Sequence, residues 1–240
     1  MQLRRGHKLD GESEYERMLS AVAYDMSLPL LQIKTRAESG KLGKNAAVEL
    51  ALLTQSGLKL IDGYLMALEM RSNAAQLPLE PVPIGSVLAE TASELSQYAK
   101  HYKTRLVIDI LGRPKPVLTN KTKLQSALYC LAASLIRSQA GSATKQNVIV
   151  LAAHKNNKDS MTAGVYGLFD GLSDKELYNA RRLAGKAPQP LSSLPAQNGG
   201  GILIADMLLT ALYQPLKAGK FKEMSGFAAQ LPLSKQLRLV

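Results

Sequence analysis

Aromatic side chains are scarce: there is no tryptophan and there are 3 phenylalanines in 240 residues, which leaves little material for stacking nucleic-acid bases. A single cysteine, Cys130, excludes a disulfide framework and a cysteine-based metal site. Lying between Tyr129 and Leu131 in an apolar helical run, it reads as a buried, inert thiol. Long hydrophobic runs are missing as well, because Lys, Glu or Gln interrupts each one well before membrane-spanning length. Met1–Asp10 is polar and has no apolar signal-peptide core, so the expectation is a cytoplasmic protein with no membrane contact.

Acidic residues are outnumbered, 19 against 30 Lys and Arg, for a net charge of +11. The excess is uneven: residues 1–75 hold 10 basic and 9 acidic side chains, residues 76–240 hold 20 and 10. Lys100, Lys103, Arg105, Arg113, Lys115, Lys121 and Lys123 are opposed only by Asp109, which suits an acidic partner, a nucleotide, a nucleic acid or simply a solvated face.

Hydrophobic residues make up 46% of the chain, enough for a sizeable core. From Glu14 to Glu38, Tyr15, Met18, Leu19, Val22, Met26, Leu30 and Ile33 recur at three- and four-residue steps, the spacing of one helix face, with Pro29 predicting a kink. Ser39–Gly43 supplies two glycines and ends the helix. A second helix from Asn45 places Ala47, Leu50, Leu53, Gly57, Leu60, Ile61, Tyr64 and Leu68 on one side. A hairpin of two such helices cannot cover its own apolar stripes, so two copies forming a dimeric four-helix bundle are expected. Gln76–Pro83 holds three prolines and reads as an extended linker, dividing a hairpin domain (1–77) from a second domain (78–240).

Beyond the linker, periodicity predicts helices at 85–102, 121–138, 174–184 and 202–213 and strands near 104–110, 116–118, 147–153, 161–168, 215–221 and 226–231. Residues 185–201 read as a Gly/Pro/Ser-rich loop. The whole suits an α+β protein, a helical hairpin followed by a two-layer α/β sandwich.

Four motifs in this order resemble those of sensor histidine kinases. Tyr24-Asp25-Met26-Ser27-Leu28-Pro29-Leu30 looks like the family's phosphoacceptor box, with Tyr24 at the histidine position and Leu28 at the Thr/Asn position. His7, His101 and His154 all lie outside this helix face. A phenol with a pKa near 10 is a poor substitute for imidazole in phosphoryl relay. Tyr24 is read either as an amphipathic surface residue or, with Asp25 and Ser27, as part of a docking site for a partner.

Asn120–Arg137 resembles the N box, whose asparagines hold magnesium and triphosphate; Cys130 and Ser134 stand at those positions, so amide ligation is lost at both. Val165–Ser173 falls where the family has Asp-x-Gly-x-Gly, with Gly167 at the adenine-binding aspartate, Phe169 at the first glycine and Gly171 kept. A ring at Phe169 would fill adenine's place. Asn198–Asp206 resembles the Gly box, with Gly199 and Gly201 as the Gly-x-Gly pair that admits phosphates to a helix N-terminus; a flexible helix entry is the other reading.

The resemblance implies a Bergerat-like ATPase fold and a partner, a response-regulator receiver domain or another kinase. It points to a pseudo-histidine kinase or phosphotransfer scaffold: a non-catalytic, regulatory homodimer of two-component signalling that binds ATP and magnesium weakly or not at all. The competing readings are a divergent nucleotide-dependent kinase and a nucleic-acid-binding protein using residues 100–123, the latter disfavoured by the thin aromatic content.

Overall fold

The computed structural model describes residues 9–38, 44–72, 78–140, 147–183, 191, 193–194 and 199–235. The glycine turn at 39–43, the start of the proline segment and most of the 185–201 loop lie outside the described residues.

Helices α1 (Leu9–Glu38) and α2 (Lys44–Ser72) pack on each other and then on three helices of the remaining chain. α1 runs through Pro29 as one helix. The next elements are β1 (Glu80–Val82), α3 (Ile84–His101), β2 (Thr104–Ile110), β3 (Val117–Thr119), α4 (Lys121–Ala140), β4 (Asn147–Lys155) and β5 (Ser160–Gly167). α5 (Asp174–Leu183), α6 (Gly200–Ala211), β6 (Lys217–Phe221) and β7 (Met224–Pro232) follow. Five strands form a mixed sheet in the order β2-β4-β5-β7-β6, in which only β2 and β4 run parallel. A parallel pair needs a crossover, and α4 supplies it.

Part of the proline segment is structural. Glu80–Val82 pairs antiparallel with Val117–Thr119, so the chain enters the sandwich as a strand and not as a free linker. Pro83, with φ fixed near −67°, then stands at the N-cap of α3.

Alternation along the strands sorts side chains to two faces. Ile149, Leu151 and Ala153 of β4, Met161, Ala163 and Val165 of β5, and Phe227, Ala229 and Leu231 of β7 join the main core with the helices. Val150, Ala152, Tyr166, Phe221 and Ala228 form a smaller cluster on the opposite face.

Local chemistry fixes the helix starts. Asn120 caps α4, its Oδ1 accepting from the Lys123 amide at 3.1 Å, and Ser173 caps α5 through the Glu176 amide at 3.2 Å. Arg181 of α5 grips Asp206 of α6 with two 2.7 Å hydrogen bonds. α6 is different: Gly199 at its N-cap offers no side-chain acceptor.

The hairpin does not present one apolar stripe. Val22 of α1 and Leu53, Leu60, Tyr64, Ala67 and Met70 of α2 turn inward, and all but Leu53 belong to the main core cluster. Leu19, Leu30 and Leu31 of α1 and Val48, Leu58, Ile61 and Leu65 of α2 stay exposed. Leu19 and Leu30 thus leave the face expected to hold Val22, and Ile61 leaves that of Leu60, because α2 carries apolar residues on two sides and meets the sandwich with only one.

Candidate functional site

The three motif-bearing helices meet at one place. α6 begins at Gly200 against the middle of α4, α2 lies across both, and α1 packs on α2 and α6 and reaches α4 through a side-chain pair. The first amides of any α-helix lack an intrahelical acceptor and carry partial positive charge. Here the acceptor comes from the hairpin: Asp25 Oδ2 receives the Gly201 N–H at 3.1 Å and sits 3.1 Å from Arg137 Nη2. Arg137 also donates to the Asp25 carbonyl oxygen at 3.4 Å.

Asp25 is 2% exposed, and the Arg137 side chain 10%. Burial pushes the Asp25 carboxyl up to about 6, against the opposing pull of Arg137 and of the Gly201 and Gly200 amides. The expectation that Asp25 belongs to an open docking surface is therefore corrected: its carboxylate closes the α1–α4–α6 junction. Ser27, two residues on and about 200° around the helix, faces outward. The side chain of Tyr24 lies outside the described residues.

The magnesium and phosphate positions of the resemblance converge on the same spot, packed against one another. A Cβ built on Gly201 would stand 2.3 Å from Ser134 Oγ, 2.8 Å from the Cys130 carbonyl oxygen and 3.1 Å from Leu60 Cδ2. One built on Gly63 of α2 would stand 3.0 Å from both Cys130 Sγ and Ile204 Cγ2. Glycine at 201 thus serves close helix contact, with its amide already given to Asp25, and not an open phosphate cradle. Cys130 and Ser134 are buried, and burial pushes the Cys130 thiol up to about 12. This donor set does not fit a magnesium-bound triphosphate: the Cys130 thiol is protonated and soft, and the hydroxyl oxygen of Ser134 is buried against Gly201, out of reach of an incoming ion. Among the described residues, no group of three His, Cys, Asp or Glu side chains is placed to hold a metal ion.

Gly167, at the end of β5, is closed in the same way. A side chain there would meet Gln139 Nε2 and Phe169 Cε2 at 2.7 Å and Ile149 Cδ1 at 2.9 Å. Phe169 packs on the core edge beside it, with its amide donating to the Gly167 carbonyl at 3.1 Å. Gly171 follows in the left-handed region at φ +81°. Gly199 is buried immediately before α6.

The basic stretch is partly spent on ion pairs. Lys121 bonds Glu90 at 2.7 Å and Lys123 bonds Glu69 at 3.3 Å, while Asp109 takes Lys222 from the β6–β7 turn at 2.5 Å. Lys100, Lys103, Arg105, Arg113 and Lys115 remain exposed.

Sequence reasoning passed over Arg137. Its signal was present: a lone cation closing the apolar run Leu124–Ile136 must reach an acid or pay the cost of burial unpaired.

No protein-family model matches the chain, and no curated protein matches it by sequence. Solved structures do. Histidine kinase AdeS of Acinetobacter baumannii aligns over 86% of this chain and 96% of its own, with 12% identity and a TM-score of 0.53. Full-length ShkA in complex with AMPPNP aligns over 88% of this chain and 42% of its own, with 16% identity and a TM-score of 0.54. Histidine kinase ThkA in complex with the response regulator TrrA aligns over 98% of this chain and 70% of its own, with 12% identity and a TM-score of 0.53. At these identities the likeness is one of fold, and the fold is that of a histidine-kinase-like ATPase core.

Proposed function

We propose that the chain is a non-catalytic regulatory or scaffolding homodimer of two-component signalling, with a hairpin unit (1–77) that docks a response-regulator receiver domain or another kinase and an ATPase-like unit (78–240) that supports it. The observation that carries this reading is the junction at Gly201, whose amide is taken by Asp25 and where Ser134, the Cys130 carbonyl and Leu60 leave no room for so much as a Cβ. Phosphoryl transfer rests on positioning and charge neutralisation of those phosphates, so a filled site argues against it. Tyr24 at the acceptor position argues the same way.

Docking is supported by the outward face of α1, where Leu19, Ala23, Ser27, Leu30 and Leu31 are exposed on the segment that carries the acceptor-box positions. ThkA is seen with a response regulator, which makes receiver domains the first partners to try. A cytoplasmic location fits such a role, and no described helix is long and apolar enough to cross a membrane.

The test is a binding screen of the intact chain against receiver domains from the same genome, with Ser27→Glu as control. Saturable binding that Ser27→Glu weakens about 10-fold or more supports the docking face, since a charge placed in an interface core is costly. Binding that ignores the substitution moves the site elsewhere.

A further inference from the structure

We infer that a cleft at the ends of β5, β6 and β7 remote from Gly167 is a binding site for a small zwitterion of the amino-acid class with an apolar side chain. The cleft measures about 400 Å³, a size suited to small ligands, and lies past the C-terminus of α6, whereas Asp25 meets that helix at its N-terminus. Ser160, which lines it, and Gly167 stand at opposite ends of β5, so no position of the kinase resemblance contributes to it.

Strand register builds the cleft. Ser160 pairs with Pro232 and Lys217 with Ala228, so β7 runs between a β5 flank that opens at Asp159 and a β6 flank that begins at Lys217. Paired residues share a sheet face, and Ala228 belongs to the smaller cluster, so Ser160, Lys217, Gln230 and Pro232 project away from the main core. The floor is held in place: Ser160, 6% exposed, donates to Asn157 Oδ1 at 2.8 Å and accepts from Gln230 Nε2 at 2.8 Å. That fixes both amides and leaves the Asn157 amide N–H groups and the Gln230 amide oxygen without partners among the described residues.

The Asp159 carboxylate and the Lys217 ammonium are both exposed on opposite flanks, and neither pairs with a charge among the described residues. Opposite charges that line one cleft without neutralising each other match a ligand that carries both, an ammonium for Asp159 and a carboxylate for Lys217. Tyr213 gives the apolar part. It is 84% exposed and holds φ +60° just past α6, where its N–H donates to the Thr210 carbonyl at 2.9 Å and the Gln214 N–H to the Leu209 carbonyl at 2.8 Å. A helix end of this form favours glycine at that position, and so exposed a ring adds little burial to the fold. Its use is to the cleft, where with Pro215 and Pro232 it offers an apolar wall to the ligand's side chain.

Nuclear magnetic resonance titration of the full chain with L-phenylalanine tests the proposal, with N-acetyl-L-phenylalanine and L-phenylalaninamide as probes that each lack one charge. The expected result is saturable shift changes at Asn157–Ser160 and Lys217 with a Kd of about 5 mM or tighter for L-phenylalanine, and binding at least about 10-fold weaker for both blocked probes. Asp159→Asn should weaken L-phenylalanine about 10-fold. Tyr213→Gly should abolish binding while the melting temperature holds or rises by up to about 3 °C, a combination that a merely structural tyrosine does not give. No saturable binding up to about 20 mM, equal binding of the blocked probes, or undiminished binding by Asp159→Asn or Tyr213→Gly would overturn the proposal. So would a melting temperature lowered by Tyr213→Gly. Receiver docking is read on α1 and stands or falls separately.

Discussion

Gln139 is 2% exposed near the end of α4, and among the described residues neither its amide nitrogen nor its amide oxygen has a partner. A buried amide left unpaired costs about 1–3 kcal/mol, whereas an apolar side chain of the same shape carries no such cost. Gln139→Met should accordingly raise unfolding free energy by about 1 kcal/mol or more in denaturant titration; a loss of stability would mean that the amide is satisfied by something bound beside Gly167. Asp25 gives the second expectation at this scale. Its carboxyl is pushed up to about 6 by burial, above its usual 3.8, so the folded protein holds that proton more tightly than the unfolded chain. Its contribution to stability is full below the unfolded value and is lost as pH rises through about 6. Wild type should lose stability relative to Asp25→Asn between pH 4 and pH 7.5, by an amount on the order of 3 kcal/mol for a shift of this size. A difference that runs the other way would show that Arg137 and the α6 amides outweigh desolvation.

Among the elements, α2 shows most plainly what a neighbour decides. Leu53, Leu60, Tyr64, Ala67 and Met70 are buried within one chain, while Val48, Leu58, Ile61 and Leu65 form a second apolar stripe that this chain leaves uncovered. Leu58 and Leu65, each 56% exposed, are seven residues apart and share a helix face, the spacing that pairs helices in a bundle. Leu58→Glu/Leu65→Glu should turn a dimer into monomers in sedimentation at micromolar concentration without loss of helicity; an unchanged sedimentation coefficient would place any dimer contact elsewhere. Leu53, 3% exposed inside the chain, is a folding residue and a poor probe of association. Periodicity reveals the apolar positions of α2 but not which of two faces meets which partner. For the same reason β2 and α4 were readable from spacing, with bounds within two residues, whereas β1 was not: Pro78, Pro81 and Pro83 read as a linker, and its pairing partner β3 lies more than thirty residues on. Asp25 was legible as an acid on a helix, yet its acceptor role was not, because the amide it serves is 176 residues away.

For the whole molecule, the hairpin and the sandwich share one apolar core that runs from Val22, Leu60 and Tyr64 through Cys130, Leu131 and Ile204 to Phe227. α6 is pressed against α4 and α2, with Gly201 and Gly63 at the contacts and Asp25 accepting from the first turn of α6. A triphosphate that drew on the Gly201 amide would have to displace Asp25 from it, and a ligand can shift that balance only by its preference for the opened form. The most direct measurement is calorimetric titration of the full chain with ATP in the presence and absence of magnesium. The account predicts no saturable, magnesium-dependent heat at tens of micromolar nucleotide; an affinity in the micromolar range would contradict it and make the chain a divergent nucleotide-dependent kinase.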